Sequence, residues 1–131
     1  MDNRLVLIAL VTLAACSSPG PRAPADGQVA RARVDAATAD YATCLDTTVK
    51  RLATPTTQAA DAADAAFKEC APVRNKLVAE VSKFRRIGAP KESADYNAAV
   101  AEQSVSAIET DLRSQTVVTA VSTKLDQEKS L

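Results

Sequence analysis

Two apolar stripes with helical spacing stand on either side of Thr54-Pro55-Thr56-Thr57, and that arrangement constrains the fold most. Val34, Ala37, Tyr41, Leu45, Thr48 and Leu52 recur at steps of three and four, as do Ala63, Phe67, Cys70, Val73, Leu77, Val81 and Phe84. Such spacing places one apolar face along each of two helices. The Pro-containing break between them predicts that the chain doubles back. Asp26 is the expected N-cap of the first helix, and Lys50 and Arg51 suit its negative end. Arg85, Arg86, Gly88 and Pro90 supply the stop of the second. Pro72 lies inside the second stripe, where it removes a backbone donor and crowds the preceding turn. Because the stripe stays in phase on both sides, a kink is expected, with a split into two helices as the alternative.

A third segment, from about Lys91, carries Tyr96, Val100, Val105, Ile108 and Leu112. Its pattern slips at Gln115-Thr116 before Val118, Val121 and Leu125. The β-branched run Thr116 to Thr123 is expected to fray or bend the helix. Aromatics are 3% of the 131 residues and Ala is abundant, which favours thin, helix-rich packing. The expected fold is therefore all-α: an antiparallel helical hairpin plus a long third helix, forming a three-helix bundle over residues 27–131.

The first 26 residues have a different character. Arg4 and the terminal amine precede an apolar run from Leu5 to Ala15, too short to span a bilayer but suited to a signal peptide. The run closes with Leu13-Ala14-Ala15-Cys16, which resembles the lipobox of bacterial lipoproteins. The resemblance implies cleavage before Cys16, thioether linkage of that thiol to diacylglycerol, and often a further acyl chain such as palmitate on the new amine. Ser17 stands where Asp is an inner-membrane retention signal in enteric bacteria, which implies delivery to the outer membrane, facing the periplasm. Residues 1–15 would then be the signal peptide. Residues 16–26, rich in Pro, would be a lipidated tether unable to form a helix or a core.

With Cys16 acylated, Cys44 and Cys70 form an even pair, and the export that the resemblance implies places them where disulfides persist. A register setting Cys44 opposite Cys70 also sets Tyr41 opposite Val73, Ala37 opposite Leu77, Ala30 opposite Phe84 and Thr48 opposite Ala66. A small shift adds Leu52 with Ala63, Val34 with Val81 and Val49 with Phe67. The same register centres the turn on Thr57. A Cys44–Cys70 disulfide is expected; buried thiols or half of a metal site are the alternatives, the latter short of ligands because the chain has no His.

Little here points to catalysis. Serines are plentiful, but none lies in a Gly-x-Ser-x-Gly or Ser-x-x-Lys motif, and no His is present to activate one. Asp61 with Asp64, and Glu109 with Asp111, read as solvated helix faces. Neither a cofactor nor a resident metal is expected. The formal net charge is zero, so no field steers the chain to nucleic acid. Lys83, Arg85, Arg86 and Lys91 are the densest basic group, read either as charge balance at a helix end or as a contact for an anionic surface. The expectation is a non-enzymatic envelope module, joined to the membrane by its lipid and open to an envelope protein partner. An immunity or exclusion lipoprotein that neutralises an incoming toxin or enzyme is the alternative.

Overall fold

α1 (Ala25–Leu52) runs without interruption to the expected break, and α2 (Ala59–Glu69), α3 (Ala71–Gly88) and α4 (Ala94–Lys129) follow. These are the elements of a computed structural model, which describes residues 25–130. The proposed signal peptide, Cys16 and residues 17–24 of the tether lie outside the described residues. Among the described residues the chain is all-α, with no strand. Asp26 does not cap α1 but sits within its first turn, still at the positive end of the helix dipole.

Where three helices were expected there are four among the described residues, because Pro72 splits the second segment instead of kinking it. Cys70 is the joint. Its N–H donates to the Ala66 carbonyl, closing α2, while its own carbonyl accepts from Val73 and Arg74, opening α3. Pro72 then falls in the first turn of α3, where a missing N–H costs nothing because no acceptor precedes it. A stripe in phase on both sides is thus compatible with a one-residue break.

Contacts from α1 to α2 and α3 climb one element as they descend the other: Asp40 with Lys76, Cys44 with Cys70, Arg51 with Glu69. The Cys44–Cys70 disulfide is present, with its Cα atoms 6.0 Å apart. Between the helices, the Thr57 N–H donates to the Thr54 carbonyl and the two threonine hydroxyls bond each other at 2.6 Å. Two side chains of α4 clamp this turn: Lys124 Nζ donates to the Thr57 carbonyl and Gln127 Nε2 to that of Ala53.

The core is narrow. Ala37, Tyr41, Leu45, Val49 and Ala53 meet Ala62, Ala66, Cys70, Leu77 and Val81, with Ala101, Val105 and Ala120 from α4. Alanines at so many contacts bring helix axes close while adding little buried area each. Val34, Thr48 and Leu52, placed on the stripe by spacing, are only half-buried, since the buried face turns toward Val49 and Ala53. Phe84, expected opposite Ala30, is exposed.

α4 continues unbroken through the β-branched run, against expectation. Its buried face is Asn97, Ala101, Val105, Thr116 and Ala120, whereas Tyr96, Val118, Val121 and Leu125 are exposed. Tertiary contacts override propensity, with Thr116 and Ala120 buried against the other helices. Thr116 and Thr123 return their hydroxyls to the carbonyls of Leu112 and Thr119, so the polar atoms are satisfied inside the helix. Lys124 and Gln127 also fasten the final turns to the far loop.

Closing a loop of this separation, 26 residues, stabilises by roughly 3.5 kcal/mol in the chain-entropy model. Replacing both Cys44 and Cys70 by Ser should lower Tm by more than about 10 °C, followed by circular dichroism. An unchanged Tm would mean that the bridge carries no stability.

Candidate functional site

Tyr41 is the largest fully buried side chain, and its ring meets Phe67 of α2 edge-on at 6.3 Å. A buried phenol needs a partner for its hydroxyl. It finds one on α4, donating to Glu109 Oε1 at 2.7 Å. The same oxygen accepts Arg74 Nε from α3 at 2.9 Å, and Arg74 also pairs with Glu102 at 2.9 Å. One carboxylate thus joins α1, α3 and α4 at mid-bundle. Burial pushes the Tyr41 phenol well above the ordinary range, and the bond to Glu109 pushes it further. The bond to Glu109 likewise holds Arg74 firmly protonated.

Beside this network lies an open cleft of about 320 Å³ lined by Asp64, Phe67, Lys68, Glu109 and Arg113. The Arg113 guanidinium sits 4.7 Å from the Phe67 ring centroid and pairs with Asp64. Cation–π contact and ion pair together fasten α4 to α2. Of the acids expected on solvated faces, Asp64 is indeed exposed but also bridges to α4 through Arg113, whereas the Glu109 side chain is only 20% exposed and joins other helices. Short-range patterning does not show this, because the partners are 35 and 68 residues away.

The four cations singled out by sequence do not form one patch. Lys83 donates to Glu80 at 2.6 Å, which holds the Glu80 carboxyl below its usual range. Arg85 turns to Glu92 at 2.9 Å, in the loop before α4. Arg86 and Lys91 are exposed, with no ion pair among the described residues. The two remaining cysteines are brought together, Cys70 fully buried and Cys44 half-buried, with the Thr48 hydroxyl 3.6 Å from Cys70 Sγ. Cys16 lies outside the described residues. Among them, no group of three or more His, Cys, Asp or Glu is placed to hold a metal ion. Nor is any described helix long and apolar enough to cross a membrane. Compared with known proteins, the chain matches no family model, no curated sequence and no solved structure.

Tyr41→Phe keeps the ring packing and removes only the bond to Glu109, so it should cost about 1–3 kcal/mol by denaturant unfolding. The native phenol also links stability to alkaline pH. Its folded pKa is raised above the unfolded value of 10.0. Its contribution is therefore full below pH 10 and falls by about 1.4 kcal/mol per pH unit above it. Tyr41→Phe should lose that component of the slope; identical slopes in both proteins would contradict the assignment.

Proposed function

We propose that this chain is a lipid-anchored protein of a bacterial cell envelope, tethered through Cys16 and carrying its helices as a non-enzymatic interaction module. The observation that supports this most is the lipobox-like Leu13-Ala14-Ala15-Cys16 at the end of an apolar run of signal-peptide length. The pairing of the other two cysteines fits the same address, since disulfides form and persist in oxidising compartments. Ser17 after the acylated residue favours the outer membrane, with the bundle facing the periplasm. In this reading α1 against α2 and α3 is the disulfide-linked hairpin, and α4 is the long strut packed along it.

Anchoring explains why such a thin module follows a Pro-rich lead. Each buried CH₂ of an acyl chain contributes about 0.8 kcal/mol, so two or three chains hold a protein durably where one does not. The role of the module is display: a braced helical surface kept close to the membrane for an envelope partner.

Cells grown with labelled palmitate test the reading. Label should co-purify with the wild-type chain, whose first residue should be a blocked Cys16, and Cys16→Ala should abolish labelling. An unlabelled mature chain beginning elsewhere would overturn the proposal.

A further inference from the structure

The two ends of the bundle differ. One holds the α1–α2 turn and the last turns of α4, clamped by Lys124 and Gln127. The other gathers the start of α1, the end of α3 and the start of α4. There Asp26, Val29 and Arg33 share a cleft of about 220 Å³ with Glu80, Lys83 and Ile87, and Arg85 reaches Glu92. Residues 17–24 separate Cys16 from this second end. Fully extended they reach at most about 30 Å, while α4 alone is about 54 Å long. The second end is therefore the one a lipid on Cys16 would hold near the bilayer.

That end leaves apolar surface uncovered, as does the later stretch of α4 at Val118, Val121 and Leu125, which the tether does not hold near the bilayer. Val29 is 54% exposed, Phe84 36%, Ile87 43% and Tyr96 54%. Phe84 and Tyr96 are half of the aromatic residues in the whole chain. Aromatic and branched aliphatic side chains mixed with cations are the composition that partitions into a membrane interface. Arg86, near the end of α3, and Lys91, in the loop after it, are exposed and add positive charge with no ion-pair partner among the described residues. Asp26, Glu80, Glu92 and Asp95 are also at this end, but Glu80 and Glu92 are taken up by Lys83 and Arg85. The local field is thus modest, and apolar insertion supplies most of the attraction.

We propose that this end of the bundle docks on the bilayer surface, with Val29, Phe84 and Ile87 at the lipid interface and Arg86 and Lys91 against anionic headgroups. The inference rests on the reading of Cys16 as the lipid anchor. Docking converts a loose leash into a fixed attitude, with the α1–α2 turn and the exposed Val118, Val121 and Leu125 of α4 held away from the membrane.

The chain has no Trp, so a single introduced Trp reports alone. The full lipidated protein, as Phe84→Trp or Val118→Trp, is reconstituted in vesicles of phosphatidylethanolamine and phosphatidylglycerol, with ordinary or brominated acyl chains. Flotation reports the anchor and quenching reports docking. Both proteins should float; the Phe84→Trp emission should shift to the blue and lose intensity on brominated vesicles, since interfacial side chains sink about 5–10 Å. The Val118→Trp emission should be unaffected. Adding Val29→Asp and Ile87→Asp to Phe84→Trp should abolish quenching while flotation and helix content stay unchanged. Floating protein with unquenched Phe84→Trp would overturn docking and leave the anchor standing. Equal quenching at both sites, or quenching that survives the Asp substitutions, would overturn the proposed face. Protein that does not float would overturn the anchor and docking together.

Discussion

The Cys44–Cys70 bridge sits at the weakest joint of the helical framework. Pro72 lacks a backbone donor, and its ring crowds a carbonyl one turn back, so a regular helix is costly through this segment and the chain breaks there. The break falls on Cys70, a fully buried residue belonging equally to the end of α2 and the start of α3. A covalent link from that residue to the middle of α1 limits how far the two shorter helices can swing. The chain places its strongest constraint where continuous hydrogen bonding fails.

A second brace works by different physics. Ala-rich helices approach closely but contribute little buried area, and Tyr41 is the largest side chain fully buried among them. Burying a phenol requires a partner for its hydroxyl, and Glu109 meets that need while also neutralising Arg74. Three helices therefore depend on one carboxylate. Arg113, between Asp64 and Phe67, repeats the strategy one turn further along α4. Polar contacts between helices do here what large aliphatic side chains do in thicker bundles.

Legibility in the sequence followed the range of the interaction. The turn at Thr54–Thr57, the all-α class and the cysteine pairing were readable, because spacing and complementary register encode them directly. Periodicity favours a kink over the split at Pro72, because it reports phase and is blind to a one-residue gap in hydrogen bonding. The persistence of α4 through Thr116 to Thr123 is not legible in local propensity, because its causes lie in the burial of Thr116 and Ala120 and in a clamp onto a distant loop. Its buried face was missed too: Asn97, Ala101 and Thr116 carry no strong apolar signal, whereas Val118, Val121 and Leu125 carry one and face outward. The roles of Glu109 and Asp64 were invisible for the same reason, since their partners lie on other helices.

Three cysteines with two different fates connect the fold to the proposed role: Cys44 and Cys70 pair with each other, and the proposal gives Cys16 to lipid. A peptide map of the protein isolated from cell membranes, alkylated without reduction, reads all three at once. The account predicts one cross-linked peptide pair joining Cys44 to Cys70, lighter by two hydrogens than its free components. It predicts an N-terminal Cys16 that carries diacylglycerol and resists alkylation. Alkylated Cys44 and Cys70, or a Cys16 that takes up the alkylating agent like any free thiol, would contradict it.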